Sequence, residues 1–360
     1  MATLPSACEP GLRSLWIISD GNPGHYNQSL AIAEALVRNH GAAIHWVKVR
    51  LAVRGFLRPT LTALTNCLRR PLPAAVESLC YRFESPLPAE RPDVIVSSGG
   101  DTAFLNVLLA RRLNCRNLFV GQPASLNYRN FDAVLDTEPP GNERNCIRLG
   151  YLPTRLTPES ARRAGHEFRQ EKRLGDRPLC SMLIGGKSRT HEYAEADWRS
   201  LADAMNHLAM MYDFGWLVTS SRRTGAEGEK LLQELLDPQS VADTTWWGTD
   251  PRNVVPAYLG ASQAAFCTQD SMTMLSEAIA SGQPVYALRP QHVLQDQMET
   301  NFNGRFLAEN VEKRKIRTIA ISEMGAIDIP GDASRHFEPV DCDLMSESVQ
   351  QLELMLRRAA

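Results

Sequence analysis

Three short turns that contain glycine hold many of the residues whose types and spacing could do chemistry. They are residues 19–25 (SDGNPGH), 97–102 (SSGGDT) and 184–189 (IGGKSR), and each follows an apolar, strand-like run. Glycine lets the backbone turn sharply and approach a ligand, and the N-terminus of a helix behind such a turn attracts phosphate or carboxylate. None of the turns has the spacing of a dinucleotide-binding or Walker motif, which disfavours those two kinds of site.

A fourth stretch, residues 268–285, combines a polar loop, a short helix and a return to the next strand. A strand-like run ends at Cys267, and either Asp270 or Ser271 can cap the helix that follows. The predicted apolar stripe of this helix consists of Met272, Leu275 and Ile279. Glu277 lies off that stripe, where its carboxylate is either simply solvated or placed to accept hydrogen bonds from a ligand.

Basic and hydroxyl side chains follow the first two predicted strands of the C-terminal half. Lys187, Ser188 and Arg189 come after the first strand, and the run SSRRT, which begins with Ser220 and includes Arg222, comes after the second. The carboxyl ends of parallel strands meet at one edge of a sheet, and ligands bind there. The two clusters therefore predict an anion site that holds a diphosphate. The alternative is that each cluster is an exposed basic loop.

The candidates for acid–base chemistry lie in the N-terminal half. His25 and Asp101 stand at predicted strand ends, and Asp20 comes behind them as a third candidate. A transfer that inverts the anomeric centre of a sugar needs a base for the acceptor hydroxyl and stabilisation of the leaving diphosphate. Asp101 could instead cap its helix, and His25 could bond a backbone carbonyl. No DxD element has a convincing metal context, so we expect basic residues and no metal ion to hold the phosphates.

These residues are positioned by an alternation of apolar runs and helical patterns that is typical of βαβ units around parallel sheets. Strands are predicted at residues 15–18, 44–49, 94–96, 118–120, 133–135, 180–184, 216–219, 244–247, 264–267 and 285–288. Helices are predicted at residues 28–38, 102–112, 193–211, 224–236, 271–281, 292–306 and 346–358. The polar, Arg-rich stretch from 153 to 178 interrupts this rhythm, which indicates a connector or a surface helix between two domains.

The two series of strands predict an α/β protein with two Rossmann-like, parallel-sheet domains that face a cleft. We expect an N-terminal, acceptor-side domain at residues 1–160 and a C-terminal, nucleotide-sugar-binding domain at residues 178–340. The final segment, residues 341–360, has Val349, Leu352, Met355 and Leu356 at helical spacing. We therefore expect its helix to pack back toward the N-terminal domain.

Composition limits the classes of protein to which the chain can belong. It has 360 residues, 43% of them hydrophobic, and a formal net charge of −2. These values fit two folded domains and argue against a nucleic-acid partner. The chain has no secretory-signal pattern and no stretch approaching the roughly 18 apolar residues of a membrane span. Its 8 cysteines form no CxxC pair, which favours a reduced, cytoplasmic protein without a zinc site.

One basic segment favours contact with a membrane surface. Residues 41–76 contain no acidic residue, and their basic residues are Lys48, Arg50, Arg54, Arg58, Arg69 and Arg70. Interleaved apolar residues suit peripheral attachment to anionic lipid, which a lipid-linked acceptor would require. The alternative is a solvated basic helix that packs its apolar side on the N-terminal domain, and Pro59 within the segment favours it.

The stretch S-x-T-x-x-x-E-A-x-A-x-G-x-P-V at residues 271–285 resembles the sugar-nucleotide signature of GT-B glycosyltransferases, especially those of the MurG type. The resemblance implies that Glu277 binds the ribose hydroxyls of UDP and that the turn at Gly185 lies by the diphosphate. MurG-type proteins also have Gly-His after their first strand, as at His25, and a Gln-rich element near the donor, similar to residues 291–297. The predicted donor site consists of Gly185, Gly186, Lys187, Ser188, Arg189, Ser220, Arg222, Asp270, Ser271, Met272, Thr273, Glu277 and Gln297.

Across nearly the whole chain, three motifs are similar to those of the mitochondrial-fission ELM-type family. They are D-G-x-x-G-H-x-x-Q at residues 20–28, S-S-R-R-T at 220–224 and T-x-D-S-x-x-M-x-x-E-A at 268–278. Bacterial members resemble glycosyltransferases of surface polysaccharide, some have been labelled sugar-nucleotide epimerases, and plant members act in mitochondrial fission.

The resemblance leaves three functions open. The first is a metal-independent glycosyltransferase that needs no cofactor and takes a nucleoside-diphosphate sugar, with UDP favoured as the nucleotide. It would act on a lipid-linked or surface-polysaccharide acceptor, in the cytoplasm or peripherally on the inner face of the membrane. The second is a sugar-nucleotide 2-epimerase on the same scaffold, and the third is a non-catalytic interaction protein.

Overall fold

The protein, described here by a computed structural model, divides into two compact units. The structure describes residues 12–38, 41–52, 57–68, 70–141, 143–294, 301–340 and 343–358. Unit 1 comprises Met1–Arg155 with Met345–Ala360, and unit 2 comprises Leu156–Leu344. Both units have the α/β architecture that the alternating pattern predicts. None of the described helices is long and apolar enough to cross a bilayer.

Unit 1 is built around one largely parallel sheet. Its described strands are β1 (Ser14–Ser19), β2 (Ala43–Leu51), β3 (Tyr81–Phe83), β4 (Val94–Ser98), β5 (Arg116–Val120), β6 (Ala133–Asp136) and β7 (Cys146–Arg148). The helices among them are α1 (Pro23–Arg38), α2 (Leu57–Cys67), α3 (Ala74–Cys80) and α4 (Gly100–Leu113). The order across the sheet is β3-β2-β1-β4-β5-β6-β7, and β3 alone of these described strands runs antiparallel to its neighbour.

Strand β1 shows why this sheet is covered on both faces. All of its residues are buried. Trp16 and Ile18 belong to one apolar core, while Leu15 and Ile17 belong to a second core on the opposite face. Successive side chains of a strand point to opposite faces, so a continuous apolar run is what a central parallel strand requires.

Unit 2 repeats this plan. Its described strands are β8 (Leu179–Leu183), β9 (His191–Glu192), β10 (Gly215–Thr219), β11 (Val241–Thr245), β12 (Ala264–Thr268), β13 (Val285–Arg289), β14 (His292–Val293) and β15 (Ile316–Ala320). Its helices are α5 (Pro158–Lys172), α6 (Glu195–Tyr212), α7 (Gly225–Leu235), α8 (Val255–Ala261), α9 (Met272–Ala280), α10 (Phe302–Glu312) and α11 (Ile329–Arg335). The parallel sheet has the order β11-β10-β8-β12-β13-β15, and β9 pairs with β14 in a separate antiparallel ladder.

Both strand orders place a topological switch point beside the first strand of each unit. In unit 1 the order reverses between β1 and β4, and in unit 2 it reverses between β8 and β12. This is the order of the dinucleotide-binding Rossmann fold, in which ligands bind outside the carboxyl ends of the strands at the reversal. The glycine turns and the loop that precedes α9 follow these four strands. The fold therefore brings the chemistry-bearing turns to two crevices, one in each unit.

Two predicted segments differ from the observed structure, and one is as expected. The Arg-rich stretch predicted as a connector or surface helix contains α5, which packs on α8 within unit 2; a Cβ on Gly165 would lie 2.0 Å from the backbone of Gly260. The helix predicted at residues 292–306 is wrong at its start, because His292 lies in β14 and α10 begins at Phe302. The C-terminal helix α12 (Ser346–Arg358) packs on unit 1 and buries Leu352, as predicted.

Candidate functional site

The glycine turn after β8 is tied to the end of β12, its neighbour at the switch point of unit 2. The backbone N–H of Gly185 donates to Oγ1 of Thr268 at 2.7 Å, and that of Gly186 donates to Oδ2 of Asp270 at 3.0 Å. A Cβ on Gly186, whose φ is +151°, would lie 2.0 Å from the carbonyl oxygen of Arg223. The turn therefore needs glycine for a close approach between two backbones.

The carboxylate of Asp270 is occupied by the protein itself. The side chain has no exposed surface, and Nη1 of Arg223 lies 2.7 Å from its Oδ2. The hydroxyl of Tyr193 donates to Oδ1 at 2.7 Å, and the N–H of Gly186 is the third partner. Asp270, predicted as a donor-site residue, therefore supports the glycine turn from the interior. Neither Asp270 nor Ser271 caps α9, which begins without a side-chain capping bond.

The second basic cluster is divided between two environments. Ser220 is buried, donates to Oε1 of Glu229 at 2.6 Å and accepts the backbone N–H of Trp247 at 2.8 Å. Arg222 is exposed. The guanidinium of its neighbour Arg223 forms the ion pair with Asp270. Arg223, and not the assigned Arg222, therefore lies at the end of β12, and the anion site stays a prediction.

The residues after Gly186 lie at the surface of unit 2. Lys187 and Arg189 are exposed, and Lys187 forms an ion pair with Glu192. Ser188 is partly buried, and its hydroxyl oxygen accepts the backbone N–H groups of Thr190 and His191. Lys187 also lines a cavity of about 810 Å³, together with Arg223 and the start of α7.

Glu277 is the charged residue of α9. Its backbone carbonyl accepts the N–H of Ser281 at 3.0 Å, but its carboxylate has no hydrogen bond or ion pair with any residue that the structure describes. Part of the residue is exposed, while Leu275 and Ile279 on the same helix are buried. Burial of the carboxyl group raises its pKa to about 7, and no neighbouring cation or donor opposes this shift. An acidic group left without partners in this way is a group to which a ligand can supply hydrogen-bond donors.

The other predicted donor-site residues have mixed placements. Met272 is buried and belongs to the core of unit 2, and Thr273 is partly buried in the first turn of α9. Ser271 is buried directly before that turn. Gln297 lies outside the described residues, so its role stays a prediction.

In unit 1, one cavity of about 550 Å³ is lined by all three predicted catalytic candidates, Asp20, His25 and Asp101. Nδ1 of His25 lies 2.9 Å from Oδ2 of Asp20. If the carboxylate accepts a proton held on Nδ1, the lone pair of Nε2 is available to a substrate. Thr62 of α2 and Phe104 of α4 also line the cavity.

The glycine turn after β4 shapes this cavity. Gly99 has φ of +88°, and Gly100 begins α4. Asp101 is exposed in the first turn of the helix, and its backbone carbonyl accepts the hydroxyl of Tyr81 at 2.8 Å. Ser98 donates to Oε1 of Gln28 at 3.2 Å, which connects this turn to α1 and hence to the element that carries His25.

Several residues that build these sites were not predicted from the sequence. Tyr193 was placed only at the start of a helix, although its hydroxyl holds Asp270. Trp247 was assigned to a strand, but β11 ends at Thr245, and the indole is 46% exposed at the ligand edge of the sheet. Glu229, which the sequence did not single out, is buried and accepts the hydroxyl of Ser220. Trp246 and Trp247 directly follow β11, and this pair was the feature of the sequence that could have indicated a residue at this edge of the sheet.

No group of three or more His, Cys, Asp or Glu side chains within the described ranges is arranged to hold a metal ion. The carboxylate of Asp270 at the unit 2 switch point is engaged by Arg223, Tyr193 and Gly186. The N-terminus of α9 and the exposed side chains of Lys187 and Arg189 are the groups there that suit an anion.

The family is established by a comparison with family models. The model of the family described as mitochondrial fission ELM1 matches residues 23–315. This chain belongs to the ELM1 family. The match spans His25, the glycine turns at residues 97–102 and 184–189, and all of α9, whereas Asp20 precedes it. A relative at greater distance is the uncharacterized protein RP120 of Rickettsia prowazekii strain Madrid E, which is 21% identical over 346 residues, 85% of this chain and 90% of that protein.

Solved structures share the fold of this ELM1-family chain. The UDP-GlcNAc 2-epimerase of Methanocaldococcus jannaschii has a TM-score of 0.58 at 12% identity and covers 96% of this chain and 99% of its own. The UDP-GlcNAc 2-epimerase of Neisseria meningitidis bound to UDP-GlcNAc has a TM-score of 0.51 at 12% identity, with coverages of 96% and 100%. The calicheamicin glycosyltransferase CalG4 scores 0.47 at 14% identity, with coverages of 97% and 99%. The two epimerase structures, both with TM-scores above 0.5, show that the ELM1-family chain has a GT-B-like fold.

Proposed function

We propose that this ELM1-family protein is a metal-independent glycosyltransferase that binds a nucleoside-diphosphate sugar in unit 2, with UDP as the favoured nucleotide. The observation that carries the proposal is the carboxylate of Glu277, which lies on the helix after the switch-point strand β12 and has no partner among the described residues. Its raised pKa of about 7 means that ionisation is penalised until a ligand supplies donors. A vicinal pair of ribose hydroxyls supplies two donors to one carboxylate.

The phosphates have a separate set of partners in this proposal. The uncapped N-terminus of α9 follows β12 and lies next to the glycine turn after β8, whose own N–H groups donate to Thr268 and Asp270. Backbone N–H groups at such positions bind phosphate oxygens. Lys187 and Arg189 are exposed beside the turn and can add positive charge. Asp270 acts indirectly, because it holds the turn and Arg223 in place.

The acceptor side of the proposal rests on the His25–Asp20 pair. Asp20 orients the imidazole through Nδ1, and Nε2 takes the proton of an acceptor hydroxyl while that oxygen bonds to the anomeric carbon of the sugar. The bond from the anomeric carbon to the phosphate oxygen breaks, and the nucleoside diphosphate leaves with the electron pair. Asp101 lines the same cavity and is the second candidate for the base.

A lipid-linked acceptor is supported by the surface of α2. This helix lines the cavity with Thr62 and exposes Leu64, which is 40% accessible, and Leu68, directly after the end of the helix, is 43% accessible. Arg50 of the predicted basic surface is exposed but paired with Glu84, and Arg54 and Arg69 lie outside the described residues. We therefore propose peripheral contact with an anionic membrane as a property that accompanies acceptor binding.

The 2-epimerase is the second candidate. The two solved epimerase structures described above have TM-scores above 0.5, and two carboxylates, Asp20 and Asp101, line the cavity of unit 1. An epimerase would convert its sugar nucleotide with no acceptor present, whereas a transferase would leave the C2 configuration unchanged.

Proton NMR of UDP-GlcNAc incubated with the protein separates these two enzymes. A new C2 epimer without acceptor would support the epimerase and overturn the transferase. For the transferase, we expect release of nucleoside diphosphate only when an acceptor extract of polyprenyl-linked sugar or surface polysaccharide is added. A thermal-shift panel of nucleoside diphosphates identifies the base first, since a ligand at 100 times its Kd stabilises the folded state by about 2.7 kcal/mol.

A further inference from the structure

His191 is a buried histidine of unit 2 that neither the motifs nor the proposed site uses. It lies in β9 and is only 1% accessible. Burial lowers the pKa of the imidazole, and the charges that act on it are those of Asp270, which raises the pKa, and Arg223, which lowers it. The side chain is therefore a neutral imidazole beside the two residues that support the glycine turn.

The hydrogen bonds around His191 indicate which ring nitrogen carries the proton. The hydroxyl oxygen of Ser188 accepts the backbone N–H groups of Thr190 at 3.3 Å and of His191 at 3.1 Å. With its lone pairs engaged in this way, Ser188 has its own proton left to donate, and Nδ1 of His191 lies 3.3 Å from the hydroxyl oxygen. The hydroxyl of Thr190 lies 2.9 Å from the same nitrogen. When Ser188 donates its proton to Nδ1, the neutral ring carries its own proton on Nε2.

That Nε2–H donor has no partner among the residues that the structure describes, although it is buried. A buried polar group without a partner costs about 1–3 kcal/mol, so such groups are rare unless a ligand, water or ion completes them. Asp270 does not complete it, because Tyr193, Gly186 and Arg223 already occupy its carboxylate. The missing acceptor must therefore come from outside this set.

We propose that His191 donates its Nε2–H to the phosphate of the bound nucleotide that lies further from the ribose. This inference rests on the proposed nucleotide site. A neutral donor beside Arg223 suits an anionic oxygen. Glu277 is proposed to bind the ribose. The charges that shift the pKa of His191 are those of Asp270 and Arg223, at the glycine turn. We therefore assign the imidazole to the end of the ligand away from the ribose. His191 would then stabilise the charge on the leaving diphosphate without giving up its proton.

The test compares UDP with UMP, because the two ligands differ by the phosphate that His191 is proposed to contact. We would titrate both by calorimetry at pH 8 into the wild-type protein and into His191→Phe, His191→Gln and Glu277→Gln. The exposed His207, changed to Gln, serves as the matched control. Glutamine can place an amide N–H near the position of Nε2, whereas phenylalanine has no donor. The affinity for UMP also shows whether the part of the site that binds the nucleoside is intact in each variant.

We expect His191→Phe to weaken UDP binding at least tenfold, His191→Gln to restore it to within about threefold, and neither to change the affinity for UMP. Glu277→Gln should weaken both ligands. If both His191 variants bind UDP as tightly as the wild type, the inference about His191 is overturned while the nucleotide site stands. If UMP binding falls as much as UDP binding in both His191 variants, the contact is not to the distal phosphate. A wild type that binds neither ligand would overturn the nucleotide site and this inference together.

Discussion

The imidazole of His25 lies directly against the backbone of Gly99. A Cβ built on Gly99 would be 2.2 Å from Nδ1 of the ring, the same atom that pairs with Asp20 at 2.9 Å. Two strand ends of unit 1, those of β1 and β4, therefore meet through one imidazole and one residue without a side chain. His25, the proposed base, can occupy this position because Gly99 has no side chain.

Substitution of Gly99 tests whether this packing sets the activity. Gly99→Ala should displace the ring from Asp20 and also strain the backbone, whose φ is +88°. We expect turnover to fall at least tenfold while the affinity of unit 2 for nucleotide stays within twofold. Gly150→Ala is the control, because a Cβ at Gly150 would meet no atom within 4 Å. Unchanged turnover in Gly99→Ala would show that the position of His25 does not matter.

The pairing of Asp20 with His25 makes a second prediction. Asp20→Asn removes the carboxylate that orients the ring, and His25→Gln removes the base, so both should lower kcat by about 10²–10⁴-fold. KM for the donor should change little. If Asp101→Asn lowers kcat in this way and His25→Gln does not, the base is Asp101.

Sequence patterns predicted the parts of these sites that depend on the backbone. Apolar runs located strands β1, β4, β8 and β12, and glycine located the turns that follow them, because both properties are local. The side-chain partners were not predictable. The choice of Arg223 over Arg222 depends on which of two adjacent side chains faces the sheet edge, and Asp270 turned inward because Tyr193 and Gly186 reach it from distant parts of the chain.

Helix α5 shows the same limit in the fold. Its composition is polar and Arg-rich, which indicated a surface segment. It is nevertheless tied into unit 2, because Gly165 and Gly260 allow two helices to approach at backbone distance. Only the partner glycine on α8, nearly a hundred residues away, makes that packing possible.

Asp270→Asn should destabilise unit 2 as well as weaken nucleotide binding. The substitution removes the charge opposite Arg223 and weakens the bond to the N–H of Gly186, and hydrogen bonds to charged groups contribute about 1.5–3 kcal/mol each. We expect the free energy of unfolding to fall by about 2–3 kcal/mol in denaturant titrations. Asp250→Asn, at an exposed surface pair with Arg252, should cost less than about 1 kcal/mol. Equal stability of the two variants would contradict the supporting role of Asp270.

The pKa of Glu277 predicts how nucleotide affinity depends on pH. In the free protein this pKa is raised to about 7, and donation from ribose hydroxyls favours the charged form. Affinity for a UDP-sugar, whose phosphates do not titrate in this range, should therefore be about tenfold weaker at pH 6 than at pH 8. Glu277→Gln should remove the difference. Affinity that rises toward pH 6 in the wild type would contradict this account.

The same group should affect the stability of the ligand-free protein in the opposite sense. Its folded-state pKa lies above the ordinary value of 4.5, so between these two values the folded state binds more protons than the unfolded state. The contribution of Glu277 to stability is therefore most favourable at low pH and is lost as the pH rises through about 7. Comparing the slope of unfolding free energy against pH in wild type and Glu277→Gln measures this contribution directly.

The most direct test of the central claim is calorimetric titration of UDP and other nucleoside diphosphates into wild type and Glu277→Gln. Glutamine keeps the shape and one acceptor but loses the charge, so we predict that affinity falls at least about tenfold, or 1.4 kcal/mol, while the melting temperature does not fall. Glu323→Gln, an exposed site in unit 2, should bind as the wild type does. If the wild type binds a nucleoside diphosphate and Glu277→Gln binds it equally well, the assignment of Glu277 to the ribose is wrong.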